Sequence, residues 1–174
     1  MPKSTLYILC GLPFSGKTTL AQSLASQFGF VHLDLDAIAR AKNLFPEKGI
    51  NDEQWGHVFE EVYQQIAAFL TSGKTVVVDA VNYDRAGRDR LRTIANHVGS
   101  SVYVIYINLP LREIEQRRQA NRADPQRPPV RDEDFTELAT QFEIPTIEEN
   151  IIIYDGSQSI QEWIQYHIPK AAQL

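Results

Sequence analysis

Eight residues near the N-terminus constrain this chain more than any other stretch: Gly11-Leu12-Pro13-Phe14-Ser15-Gly16-Lys17-Thr18. They fit the pattern G-x-x-x-x-G-K-S/T, a loop whose glycines let backbone N–H groups turn inward around phosphate oxygens. The flanks complete a strand–loop–helix unit. Leu6-Tyr7-Ile8-Leu9-Cys10 reads as a buried strand, and Leu20, Leu24 and Phe28, with Ala21 and Ala25 beside them, recur on one helical face. Such a unit aims a helix N-terminus, with its partial positive charge, at bound phosphate. Lys17 reads as the side chain that reaches the β- and γ-phosphates, and the Thr18 hydroxyl as a ligand of Mg²⁺. Candidate nucleotide contacts are Gly11, Pro13, Phe14, Ser15, Gly16, Lys17, Thr18 and Thr19. ATP and Mg²⁺ are the expected cofactors.

After Gly29, the stretch Phe30 to Asp36 alternates, placing Val31, Leu33 and Leu35 on one side and His32, Asp34 and Asp36 on the other. Two carboxylates then stand at the C-terminal end of a strand, where open α/β sheets bind ligands. His32 reads as structural. Ala37 to Ala41 looks helical, residues 43–51 form a loop, and a long helix follows with Asn51 or Asp52 as its cap. Its apolar stripe is Trp55, Val58, Val62, Ile66 and Phe69. Lys74 to Asp79 is the next strand, and three consecutive valines suggest burial on both faces. Asp79, where that run ends, is placed like a carboxylate that holds Mg²⁺ through water. Asp84 caps a helix to Val98 whose four arginines (Arg85, Arg88, Arg90 and Arg92) read mostly as a solvated face.

A fourth strand spans Val102 to Ile107, a helix starts at Pro110, and the segment 112–131 holds six of the 17 basic residues. Asp124-Pro125 and Pro128-Pro129 interrupt regular structure there. An arginine-rich, proline-broken excursion reads as a mobile lid, with guanidiniums suited to clamping polyphosphate. A helix from Asp132 to Phe142, a last strand at Ile151 to Tyr154 and a closing helix at 157–167 complete a single domain over residues 1–174. Five strands alternating with helices make a three-layer α/β fold.

No apolar run approaches the 18 or more residues of a membrane span, and no signal peptide is evident. One cysteine, Cys10, excludes an internal disulfide, reads as core packing and fits a reducing cytoplasm. A net charge of −5 argues against a general nucleic-acid binder.

These residues resemble the small P-loop kinases grouped with zeta toxins, chloramphenicol phosphotransferase and the kinase domain of polynucleotide kinase. The resemblance rests on Gly11 to Thr18, Asp36-Ala-Ile-Ala-Arg40, Val77 to Asn82, Arg118-x-x-x-Arg122 and Phe142-Glu143-Ile144-Pro145. It implies a P-loop NTPase fold with a parallel five-stranded sheet of order 2-3-1-4-5. It also implies that Asp36 contacts and deprotonates an acceptor hydroxyl, and that Arg118 and Arg122 contact ATP. The pair Asp34-x-Asp36 looks like shikimate kinase, which implies Asp34 near the metal. Val81 and the spacing of Arg40 depart from the family pattern.

Three functions compete: a kinase for a small-molecule hydroxyl, a kinase for polynucleotide or tRNA 5′-hydroxyl ends, and a nucleotide-dependent switch without transfer activity. Asp36 and the arginine lid favour the kinases. Concentration of positive charge in the lid favours the small molecule over nucleic acid, although Arg40, Arg85 and Arg88 could line a small basic cleft.

Overall fold

The computed structural model describes residues 4–168. Its centre is β1 (Thr5–Cys10), flanked by β3 (Val76–Asp79) and β4 (Ser101–Ile107), with β2 (Val31–Asp34) and β5 (Ile151–Tyr154) at the edges. All pairings are parallel, in the order β2-β3-β1-β4-β5. Every residue of β1 and β3 is buried, which is why these strands are continuously apolar.

Alternation along the strands divides the core in two. Leu6, Ile8, Val76 and Val78 face α3 (Asp52–Thr71) and α4 (Arg85–His97), meeting Val58, Val62, Ile66 and Leu91. Tyr7, Leu9, Val77 and Ile105 face the other way, onto Leu20 and Leu24 of α1 (Lys17–Phe28) and Trp163 of α7 (Ile160–His167). The result is helix, sheet, helix, as the alternation of elements predicts.

The alternating stretch after Gly29 is shorter than its pattern suggests. β2 ends at Asp34, whose side chain accepts hydrogen bonds from the N–H groups of Asp36 and Ala37 at 2.9 and 3.1 Å. That cap starts α2 (Leu35–Ala41), so Asp36 stands in the first turn of a helix and not on a strand. A reciprocal pair does the same for α3: Asn51 accepts from Gln54 N at 2.9 Å and Gln54 accepts from Asn51 N at 3.0 Å. The buried stripe of α3 continues to Leu70, while Trp55 and Phe69 lie at its margin.

The lid is more helical than its composition implies. α5 runs over Leu111–Ala123 and α6 over Asp132–Gln141, leaving only residues 124–131 irregular. Four of the six lid arginines therefore lie on α5. Among the described residues, no helix is long and apolar enough to cross a membrane.

Candidate nucleotide and phosphoryl-transfer site

The glycine loop leaves β1 at the C-terminal edge of the sheet and enters α1 at Lys17. Gly16, with φ of 100°, takes a backbone conformation that L side chains rarely adopt. Phe14 adopts the left-handed region at φ 68° without being glycine, strain of roughly 1–3 kcal/mol that functional loops commonly carry. A side chain at Gly11 would meet Ser15 Oγ at 2.8 Å and the Ile107 carbonyl oxygen at 3.1 Å. The loop is tied to its neighbours from below: Gly11 N–H donates to the Val81 carbonyl at 3.2 Å, and Asn82 Nδ2 donates to the Leu9 carbonyl at 2.6 Å.

Three features of this loop fit a polyphosphate. Ser15 Oγ is buried and has no hydrogen-bond partner among the described residues. α1 has neither a side-chain cap nor an acidic residue in its first turn, whereas every other α-helix has one or both. A helix start bare of negative charge leaves its free N–H groups for an external anion. Lys17 Nζ donates to the carbonyl oxygens of Gly11 and Leu12, each at 2.8 Å. Burial lowers its pKa from 10.5 to about 8, with Asp79 pulling the other way. A phosphate would restore the charge that burial disfavours. Pro13 is buried, Thr18 half-buried and Thr19 exposed.

Carboxylates gather at the ends of β2 and β3. Asp34 and Asp79 are register partners across the two strands. His32 Nε2 lies 3.0 Å from Asp79 Oδ2, and His32, Asp34 and Asp79 each present a ligand atom within 4.8 Å of the other two. The oxygens of Asp34 and Asp79 suit a hard divalent cation, and His32 fixes the orientation of the Asp79 carboxylate. Asp36 is reached by solvent, yet the protein packed around it raises its pKa above 3.8, and the Asp34 charge adds to the effect. Lys17 follows the loop after β1 and Asp36 stands two residues beyond the end of β2, so both lie at the C-terminal edge of the sheet.

The lid arginines divide. Arg118 and Arg122 both pair with the Asp132 carboxylate, and Arg118 also pairs with Glu115 at 2.8 Å while lying over the Phe135 ring. The structure thus places both on the lid itself. Arg117 and Arg127 are the ones at the loop. Arg117 donates to the Phe14 carbonyl at 3.4 Å and pairs with Glu113 at 2.7 Å, and the Arg127 guanidinium lies 4.5 Å from the centre of the Phe14 ring.

Arg88 corrects the reading of α4 as a helix with a solvated arginine face. It is fully buried, donating to Glu149 through Nε at 2.7 Å and to the Asn82 carbonyl at 2.9 Å. Helical spacing held the signal, because Arg88 falls on the stripe of Leu91 and Ala95. Cys10 lies beside this pair, and burial pushes its thiol up to about 12, an unreactive packing residue as expected.

A family model described as an AAA domain matches residues 6–145. Among solved structures, a putative kinase from Chloroflexus aurantiacus is similar at 19% identity and a TM-score of 0.74, covering 98% of this chain and 99% of that one. A sugar kinase from Janibacter sp. HTCC2649 is similar at 21% identity and a TM-score of 0.72, covering 94% and 91%. The APS kinase of Mycobacterium tuberculosis, solved in complex with AMPPNP and APS, is similar at 19% identity and a TM-score of 0.68, covering 95% of each chain. With a family match over most of its length and the sheet order the P-loop kinase resemblance implies, this chain belongs to the AAA domain family and has the fold of the small P-loop kinases.

Proposed function

We propose that the protein is an ATP-dependent phosphotransferase that moves the γ-phosphate of ATP to a hydroxyl of a small molecule. The observation that carries this reading is that the Lys17 loop and Asp36 lie at the same C-terminal edge of the sheet. A phosphate-loop lysine and a carboxylate whose pKa is raised by the protein packed around it suit the donor and acceptor sides of one transfer. A nucleotide switch has no use for the second group.

In this reading the loop N–H groups and Lys17 hold the β- and γ-phosphates of the substrate. Asp36 accepts the acceptor's hydroxyl proton, the hydroxyl oxygen forms a bond to the γ-phosphorus, and the bond from that phosphorus to the bridging oxygen of ADP breaks. Thr18, Asp79 and Asp34 would hold Mg²⁺, which supplies neutralisation of charge on the phosphates. Proteins of similar fold include a sugar kinase and an APS kinase, both named for small-molecule substrates.

The arginines available for a basic cleft at a 5′ end are engaged with carboxylates. Arg40 pairs bidentately with Glu47 at 3.0 and 2.7 Å, Arg85 with Asp89 at 2.9 Å, and Arg88 is buried with Glu149. Neutralised side chains contribute little of the counterion release on which nucleic-acid binding depends. The test is ADP release measured with a panel of sugars, sugar acids and sulfated or phosphorylated nucleosides. Release stimulated tenfold or more by one acceptor class supports the proposal, and release indifferent to every acceptor counts against it.

A further inference from the structure

Resting on the kinase reading above, we infer that Arg127 is the lid arginine that engages the transferred phosphoryl group. Four of the six arginines in 112–131 are matched by carboxylates: Arg117 by Glu113, Arg118 and Arg122 by Asp132, and Arg131 by Asp134. Arg112 and Arg127 are the two without one among the described residues. Both are exposed, but Arg112 stands at the start of α5, whereas Arg127 lies against the phosphate loop on the ring of Phe14. An aromatic face attracts a guanidinium without using its N–H donors, so the donor fork stays available to oxygens.

The backbone of Arg127 is fixed by a buried amide. Asn121, on α5, accepts from the N–H groups of Gln126 and Arg127 at 3.0 Å each and donates to the Arg127 carbonyl at 3.0 Å. All of this amide's recorded bonds go to holding residues 126–127, and Pro128-Pro129 stiffens the chain immediately after. The charge also arrives where the chemistry requires it. Its guanidinium sits on the loop that carries Lys17, 4.5 Å from the centre of the Phe14 ring, where the kinase reading places the phosphoryl group. A planar fork at that point can follow the equatorial oxygens as charge redistributes during transfer, a role typically worth about 10³–10⁵ in turnover.

The experiment compares binding of AMPPNP and of ADP by calorimetry in the wild type, Arg127→Ala, Arg127→Lys and the charge control Arg112→Ala. Arg127→Ala is expected to weaken AMPPNP about tenfold or more while leaving ADP within about twofold, and Arg112→Ala to match the wild type. Arg127→Lys keeps the charge without the fork, so it should restore most of the AMPPNP affinity while turnover remains at least tenfold down. An unchanged AMPPNP-to-ADP preference in Arg127→Ala overturns this assignment and leaves the kinase reading standing. Absence of nucleotide binding by the wild type overturns both. Circular dichroism on each variant checks that the fold is retained.

Discussion

Arg88 Nε donates to Glu149 Oε2 at 2.7 Å, across 61 residues of sequence, and neither side chain reaches solvent. The pair joins α4 to the turn before β5, and Arg88 also holds the carbonyl of Asn82, whose amide holds the end of β1. Glu149 is further fixed by the N–H of Thr146 at 2.9 Å. The phosphate loop therefore grows from a strand end that a buried ion pair supports.

Breaking that pair from one side should cost more than removing it whole. Arg88→Met leaves the buried Glu149 carboxylate with only the Thr146 N–H and Arg85 at 3.5 Å, a loss of about 3 kcal/mol or more, up to about 5, while Arg88→Met with Glu149→Leu should recover most of it. At roughly 2–4 °C per kcal/mol for a chain of this size, the single variant should melt roughly 6–20 °C below the wild type. Thermal melts of the two variants and the wild type check this.

Nucleotide binding should take up a proton. Lys17, lowered to about 8 by burial, is neutral in part of the free protein above that pH, and bound phosphate raises its pKa again. The sign follows: ATP affinity is full below pH 8 and falls as pH rises above it, by up to about tenfold per pH unit until the bound-state pKa is reached. Calorimetry in buffers of different ionisation enthalpy at pH 8.5 should show uptake. Lys17→Ala should weaken ATP binding and remove the uptake with the fold intact.

Asp36→Asn should separate chemistry from binding. Loss of a general base typically costs about 10²–10⁴ in rate, and ATP affinity should hardly move. Because the carboxyl is raised above 3.8 by its surroundings and by Asp34, activity should fall with decreasing pH at a value above that of an ordinary aspartate. A pH–rate profile of the wild type and the variant tests both, since the variant should lack this acid limb.

Asp132 occupies both arginines that the family resemblance assigns to ATP. Asp132→Asn should free Arg122 while Arg118 keeps Glu115, and ATP affinity should rise by up to about fivefold as the freed guanidinium turns to the nucleotide, the scale of an exposed ion pair. Nucleotide titrations of this variant measure it.

Much of this arrangement was legible in the chain. The glycine loop with its apolar flanks announced β1, α1 and the phosphate site, and three valines before Asp79 announced a strand buried on both faces. What misled was a local choice: alternation favoured a strand through Asp36, but Asp34 could cap a helix and did. Arg88 reads as solvated from its charge alone, although its spacing to Leu91 puts it on the buried stripe. Its partner Glu149, the His32–Asp79 contact and the placement of Arg127 on Phe14 depend on tertiary distances that no local periodicity encodes.

The proposed reaction delivers the γ-phosphate to a small-molecule hydroxyl. The most direct measurement follows γ-labelled ATP with the purified protein, a panel of small hydroxyl compounds and 5′-hydroxyl oligonucleotides, with Asp36→Asn alongside. Label is expected on a small-molecule hydroxyl, absent from the oligonucleotides and reduced at least a hundredfold in Asp36→Asn. Label on a 5′-hydroxyl end, or transfer undiminished in Asp36→Asn, would contradict it.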